Sequence, residues 1–205
     1  MLGLPGELVA QRAPGLAPSF GQHHVLLALL VLGRVGSMGR MRLGRELGLG
    51  EGAVRNLLSR LRGQGLVAAD RSGCRLAEKG LKLYRRLRRR LVGPHPVRAG
   101  KLALDKHACA LLIRGGASRV KLGLEQRDEG IKVGGSGVVT LIYAGGKFRI
   151  PGGSEDCERD YGGPEWEELR RRLGPREGDA IVVASAPSEE RARLAAVAAG
   201  ASLLR

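Results

Sequence analysis

A segment around residue 55 combines an apolar stripe with side chains that can read a base pair. Its valine and leucines recur at the spacing of a helix that rests on a core. Arg55, Ser59 and Arg62 stand at i, i+4 and i+7 on the opposite face, with Asn56 and Arg60 beside them. Arginine can bind guanine O6 and N7, asparagine can pair with adenine, and serine can donate to a base or a phosphate. The pattern predicts a helix in the DNA major groove; the alternative is an ordinary amphipathic surface helix.

The formal net charge of +15 is distributed unevenly along the chain. Residues 1–100 contain 18 Lys and Arg but 5 Asp and Glu, whereas residues 101–205 contain 17 and 15. A balance this basic favours a polyanionic partner for the first half. Further contacts to phosphates or the minor groove are expected from arginines outside the 55–62 segment, each of which could alternatively be a simple surface charge: Arg40, Arg42, Arg45, Arg71 and Arg75.

A glycine-rich turn between an expected helix and an expected strand is the second candidate site. Glycine backbone N–H groups can cradle an anion, so a metabolite bearing phosphate or carboxylate is the expected ligand. The alternative is a helix C-cap followed by a strand-entry loop. The candidate ligand-binding residues are Arg127, Asp128, Lys132, Gly134, Gly135, Ser136, Gly137 and Thr140.

Catalytic and metal-binding patterns are not found, and the chain is predicted not to be an enzyme and to need no cofactor. The three cysteines, Cys74, Cys109 and Cys157, are widely spaced and form no CxxC motif. Cys157 stands in the acidic run 154–160, which is expected to raise the pKa of its thiol and is interpreted as a solvated loop. The apolar run 25–32 is too short to span a membrane, and the expected location is cytoplasmic.

The elements that must position these residues follow from periodicity and turn signals. Residues 1–18 are rich in Pro and Gly and are expected to form a flexible arm. Helices are predicted over 19–35, 43–47, 52–61 and 78–91, with a tight turn at 48–50 and strands over 66–69 and 74–76. Leucines at four-residue spacing in the last helix suit packing on the core or on a partner helix.

This order resembles the winged helix-turn-helix family over residues 19–92. The resemblance rests on Leu43-Gly44-Arg45-Glu46-Leu47-Gly48-Leu49, on Glu51-Gly52-Ala53-Val54-Arg55-Asn56-Leu57-Leu58-Ser59-Arg60-Leu61, on Gly65-Leu66-Val67, on Ser72-Gly73-Cys74-Arg75-Leu76 and on Ala77-Glu78-Lys79-Gly80. Gly44 and Gly50 replace residues that are commoner in the family. The resemblance implies a recognition helix at 52–61 and a wing that includes Arg71.

Residues 93–100 are interpreted as a linker because Gly93-Pro94-His95-Pro96 interrupts the preceding helix. Beyond it, strands predicted over 108–113, 138–143, 147–150, 179–184 and 202–204 interleave with helices over 125–133, 164–173 and 188–199. The fold class expected is therefore an α+β winged helix-turn-helix domain followed by a small α/β domain with a mixed sheet at 101–205.

The whole layout also resembles archaeal two-domain proteins with a C-terminal domain of unknown function. The segments that carry this resemblance are residues 127–134, 139–143 and 150–152. The function expected is a sequence-specific regulator of transcription that binds double-stranded DNA, responds to a small-molecule effector and forms a homodimer, with the 78–91 helix as a candidate interface. The alternatives are a general, architectural nucleic-acid-binding protein and an enzyme with an appended DNA-binding domain.

Overall fold

The computed structural model describes residues 19–204 and shows an α+β protein built from helices and antiparallel sheets. The chain divides into an N-terminal unit, residues 1–88, and a C-terminal unit, residues 89–205. The flexible arm expected at 1–18 lies outside the described residues. Among those described, no helix has the length and apolar character that crossing a bilayer requires.

The N-terminal unit places short helices beside a small sheet. Its elements are α1 (Gln22–Val35), β1 (Ser37–Met38), α2 (Arg40–Leu47), α3 (Glu51–Gly63), β2 (Val67–Asp70), β3 (Gly73–Leu76) and α4 (Glu78–Arg90). The antiparallel sheet has the order β1-β3-β2, and its first strand has only two residues, too few to show a strand period in the sequence.

Local sequence accounts for where these elements end and which faces they bury. Gly48 ends α2 in the left-handed region, at φ 64°, which a glycine adopts without strain. The stripe of Val54, Leu57, Leu58 and Leu61 in α3 is buried as expected. This burial fixes the rotation of α3 about its axis and thereby decides which polar side chains face outward.

The C-terminal unit is a five-stranded sheet with helices on both faces. Its elements are β4 (Leu91–Pro96), β5 (His107–Ile113), α5 (Leu124–Lys132), β6 (Gly137–Ala144), β7 (Lys147–Arg149), α6 (Cys157–Tyr161), α7 (Glu165–Leu173), β8 (Asp179–Ala186) and α8 (Glu189–Ser202). Leu111 and Ile113 of β5 face α8, where Gly200 approaches them, whereas Leu112 faces the core that holds Trp166.

The expected mixed sheet was wrong, because every neighbouring pair in the order β4-β5-β8-β6-β7 is antiparallel. The sheet nevertheless contains a crossover: α5 joins β5 and β6, and both strands run antiparallel to β8 and hence in the same direction. These two strands are not neighbours, because β8 enters between them. All eight residues of β8 are buried, as befits a central strand covered on both faces.

Three further expectations for this half were wrong. The predicted linker 93–100 contains the end of β4, whose pairing with β5 shifts between Val92 and His95. Pro94 has no backbone N–H to donate, and an irregular edge strand tolerates this loss. The final strand at 202–204 is absent, since Ser202 still belongs to α8. The acidic run contains α6, which Asp156 caps by accepting a hydrogen bond from the Arg159 N–H.

Candidate functional site

A groove of about 500 Å³ runs between α3 and the β2–β3 turn. Arg55, Ser59 and Arg62 contribute from α3, Arg40 from α2 and Arg71 from the turn. Arg55, Ser59, Arg62 and Arg71 are among the residues predicted to bind DNA, and Arg40 is among the expected phosphate contacts. The groove therefore collects four guanidinium groups, and one carboxylate, Asp70, lines it as well.

Glu51 positions two of these guanidinium groups. Its Oε1 accepts from Arg55 Nη2 at 2.9 Å and from Arg40 Nη2 at 3.1 Å, and all three side chains are exposed to solvent. One carboxylate between two arginines leaves a net positive charge. Glu51 was not among the predicted contacts, although its i, i+4 spacing to Arg55 is a recognisable signal of such a pair.

Asp70 is the acidic group that braces the turn. It accepts hydrogen bonds from the Ser72 backbone N–H at 2.8 Å, from the Ser72 hydroxyl at 2.5 Å and from Arg75 Nε at 3.1 Å. The Ser72 hydroxyl first and Arg75 second lower the pKa of Asp70 to about 2. Arg75, predicted as a DNA contact, is therefore engaged in holding this turn, and it does not line the groove.

Asn56 and Arg60, which were expected to lie beside Arg55 and to contact DNA with it, do not line the groove. Each residue advances a helix by about 100°, so the two sets diverge around α3. Arg60 is only 9% exposed and lies over the ring of Phe20, with its guanidinium carbon 5.5 Å from the ring centroid. Its Nε donates to Asn56 Oδ1 at 3.2 Å. A DNA-binding role for Arg60 is contradicted by this burial, whereas Asn56 remains exposed.

The two arginines predicted on α2 occupy different surroundings. Arg45 lines a smaller hollow of about 220 Å³ at the turn between α2 and α3, together with Arg40. Arg42 is exposed and lines neither of these two hollows. Leu83 and Leu87 of α4, which stand at four-residue spacing, are buried within the chain, as expected for packing on the core, whereas Leu81 is exposed. Dimerisation through α4 stays a prediction.

The glycine-rich turn does not form an anion cradle. The N–H of Gly134 donates to Ile131 O at 3.0 Å, that of Gly135 to Gly130 O at 3.0 Å, and that of Ser136 to Ser185 O at 2.8 Å. The glycines serve close packing, since a Cβ on Gly135 would lie 2.9 Å from that of Ala195. The expectation of a ligand held by these N–H groups was wrong, because the protein already uses them.

The other residues of this predicted site are dispersed. Arg127 pairs with Asp128, and Lys132 with Glu129, on the exposed surface of α5. Gly137 lies in β6 against Leu104, and the Ser136 hydroxyl donates to Asp105. Thr140 of β6 is buried, with only 5% of its surface exposed. The sequence proximity of these residues does not bring their side chains to one place.

The cysteines and acidic groups do not assemble a reactive centre in the part of the chain from 19 to 204. No group of three or more His, Cys, Asp or Glu side chains there could hold a metal ion. Cys74, Cys109 and Cys157 are buried and unbridged. Burial raises the pKa of the Cys74 and Cys157 thiols, and for Cys157 the neighbouring Asp160 adds to the increase.

Comparison with known proteins gives a match to a domain of unknown function within the C-terminal unit and a similar fold for the chain. Residues 104–203 match DUF4443, a domain of unknown function. The chain is similar in structure to the hypothetical protein PH0730 from Pyrococcus horikoshii OT3, with a TM-score of 0.73 and 22% identity over 90% of this chain and 93% of that one. No curated protein matches. These likenesses fit a two-domain protein of archaeal type.

Proposed function

We propose that the protein is a sequence-specific regulator of transcription whose N-terminal unit is a winged helix-turn-helix that binds double-stranded DNA. The observation that carries the proposal is the groove in which Arg55, Ser59 and Arg62 of α3 meet Arg71 of the β2–β3 turn and Arg40 of α2. The order α1, α2, α3, then a hairpin and α4, is the order of elements in that family.

The exposed face of α3 suits base readout in the major groove, which is wide enough for a helix. Glu51 holds the Arg55 guanidinium through an exposed ion pair, which costs little to exchange for a base edge. Arg62 and Arg71 line the groove from α3 and from the wing. In this proposal they contact phosphates, which position the protein without reading sequence.

The charge of the N-terminal half supports the same partner. Residues 1–100 contain 18 Lys and Arg but only 5 Asp and Glu. These positive charges repel one another in a compact fold, and the phosphates of a nucleic acid would offset the repulsion. Five of these 18 basic residues are arginines near the end of α4, at positions 85, 86, 88, 89 and 90. Charge alone does not distinguish a specific regulator from an architectural protein, so the test must measure sequence preference.

The test is selection of bound duplexes from a random DNA pool, followed by titration of the enriched sequence against salt. Arg55→Ala is expected to relax preference at one base position and to weaken binding there by about 1–3 kcal/mol. Arg62→Ala and Arg71→Ala should weaken all sequences alike and reduce the slope of log K against log salt by about 0.9 for each lost phosphate contact. Arg34→Ala, an exposed arginine outside the groove, is the matched control and should change neither quantity.

The alternatives predict other outcomes of the same experiment. Steep salt dependence with no enriched motif would refute a specific regulator and leave a general nucleic-acid binder. Enrichment of paired half-sites would support the expected homodimer, because two-fold symmetric proteins bind repeated half-sites. An Arg55→Ala variant that weakens all sequences equally would refute base readout by this side chain.

A further inference from the structure

α5 presents two large apolar side chains to the solvent. Leu124 is 51% exposed and Ile131 is 46% exposed, and Leu122, just before the helix, is 61% exposed. Leu124 and Ile131 stand seven residues apart, so they lie on one face of the helix, two turns from each other. A cluster of this kind differs from the single exposed leucines that any surface has, and it marks a contact site.

The opposite face of α5 fixes the helix against the rest of its unit. Gln126 is buried, and its Nε2 donates to Ser202 Oγ at 2.9 Å. Gly130 allows a close approach, since a Cβ there would lie 2.3 Å from Val138 Cγ2. These contacts set the rotation of α5 about its axis. The exposed face is therefore already in place before any partner arrives, which lowers the entropic cost of binding.

Two charged side chains lie between the apolar ones. Arg127 and Asp128 follow Leu124 by three and four residues, so they share its face of the helix with Ile131. Both are exposed, and Arg127 Nη2 lies 3.3 Å from Asp128 Oδ1. An exposed pair of adjacent helix residues contributes little, so each side chain can turn to another partner. The order apolar, positive, negative, apolar is complementary to its own reverse.

We propose that α5 packs antiparallel against α5 of a second copy of this chain, about a two-fold axis between residues 127 and 128. In this arrangement Leu124 contacts Ile131 of the partner subunit, and Arg127 pairs with Asp128 of the partner subunit. The axis repeats both contacts, as in the isologous interfaces of most homodimers. A mainly apolar hollow of about 210 Å³, lined by residues 121–126, includes Leu124 and can receive the partner's Ile131.

The charges of this segment favour a second copy as the occupant. In an isologous contact a surface faces itself, so a basic surface would repel its copy. The chain has a formal charge of +15, yet residues 121–132 have none, because three basic residues balance three acidic ones. The six are Lys121, Glu125, Arg127, Asp128, Glu129 and Lys132. α4, by contrast, exposes Arg85, Arg86, Arg88 and Arg89, which would oppose like charges across an axis.

The contact is small, and the dimer is therefore expected to be weak. α5 has nine residues and is about 14 Å long at 1.5 Å per residue. The stripe buries less than the roughly 1,200 Å² at which stable interfaces begin, so a Kd on the order of micromolar or weaker is expected. The inference concerns the C-terminal unit and does not depend on DNA binding.

The test is sedimentation equilibrium of the full chain from about 1 μM to about 1 mM, the range in which a weak interface associates. Salt is held at about 0.15 M, which screens charges more than about 8 Å apart. Leu124→Gln and Ile131→Gln should each raise the Kd by about 5-fold or more, because the axis repeats each lost contact. Leu104→Gln, at a leucine that is 77% exposed outside α5, is the matched control and should leave the Kd unchanged.

Charge reversal tests the pairing itself. Arg127→Asp alone and Asp128→Arg alone each place like charges opposite one another and should each weaken the dimer. An equimolar mixture of these two variants restores both ion pairs and should form a heterodimer. The chain with both substitutions should recover the Kd of the parent. A purely structural effect of either substitution would not be reversed by the other.

Four outcomes would overturn the inference. They are a parent chain that stays monomeric at the highest concentration, an unchanged Kd in Leu124→Gln and Ile131→Gln, and single charge variants that fail to associate when mixed. The fourth is a dimer that is lost in Leu81→Gln, at the exposed leucine of α4, but kept in the α5 variants, since this would place the interface on α4. Circular dichroism of each variant checks that it is folded.

Discussion

Acid should destabilise the N-terminal unit through His24. This residue lies in the first turn of α1, is 8% exposed, and accepts a hydrogen bond at Nδ1 from the Gly21 N–H at 3.0 Å. Burial, and to a lesser extent the neighbouring His23, lowers the pKa of His24 to about 4. Protonation would place a hydrogen on the nitrogen that now accepts from Gly21, so it would both bury a charge and break the bond at the start of the helix.

The direction and size of the effect follow from proton linkage. The folded pKa of about 4 lies below the usual value of 6.5, so the unfolded chain takes up the proton first as pH falls. The contribution of neutral His24 is fully present above pH 6.5 and is lost as pH falls towards 4. A difference of about 2.5 units at 1.36 kcal/mol per unit is about 3 kcal/mol of unfolding free energy.

Urea unfolding between pH 7 and pH 4 measures this loss in the parent chain and in His24→Gln. The variant stays neutral across the range and should lack this part of the pH dependence. The chain has one tryptophan, Trp166, in the C-terminal unit, so its fluorescence follows that unit while far-UV circular dichroism follows both. His23→Gln should reduce the loss without abolishing it, since burial is the larger cause. Equal pH dependence in the parent and in His24→Gln would refute the reasoning.

Three further predictions concern the packing, and one of them has a control substitution. Asp179→Asn should lower the free energy of unfolding by about 3 kcal/mol, because the buried carboxylate accepts hydrogen bonds from Arg114 and from two backbone N–H groups. The urea midpoint of tryptophan fluorescence measures this loss. An unchanged midpoint would refute the importance of this ion pair. Gly80→Ala should destabilise the chain by about 1–3 kcal/mol, because the new Cβ would lie 2.0 Å from Leu66 O. This is expected although alanine favours helices, and urea unfolding followed by circular dichroism measures it. Gly52→Ala, with no atom within 4 Å of the new Cβ, is the control and should stabilise it by up to about 1 kcal/mol. Thr140→Val should stabilise the protein by about 1 kcal/mol in thermal unfolding, because it removes an unpaired hydroxyl. Destabilisation would instead show that the hydroxyl has a partner.

Local patterns were sufficient for most of the elements. The apolar stripe of α3 predicted both its helix and its buried face, and the strands predicted over 138–143 and 147–150 are β6 and β7, which are joined at Gly145 and Gly146. The two glycines there have φ of 60° and 75°, which a tight hairpin needs and other residues rarely adopt. These signals can be recognised in the sequence because each depends only on residues that are close neighbours along the chain.

The candidate groove was predicted in part. Arg55, Ser59 and Arg62 share one side of α3 because of helical spacing alone, and the sequence therefore placed them correctly relative to one another. Their approach to Arg71 depends on how the β2–β3 hairpin packs beside α3, and the burial of Arg60 depends on the Phe20 ring. Neither contact leaves a periodic signal in the sequence.

The sequence by itself determined most of the helices, the hairpins and the concentration of positive charge in the first hundred residues. Only the tertiary structure decided that β8 enters between β5 and β6, and that Ser136 gives its N–H to Ser185 rather than to a ligand. It also left the Thr140 hydroxyl unpaired beneath Gly123. The physical reason is that these outcomes depend on contacts between distant segments, whose free energy is set by the packing of the whole unit and not by local conformational preference.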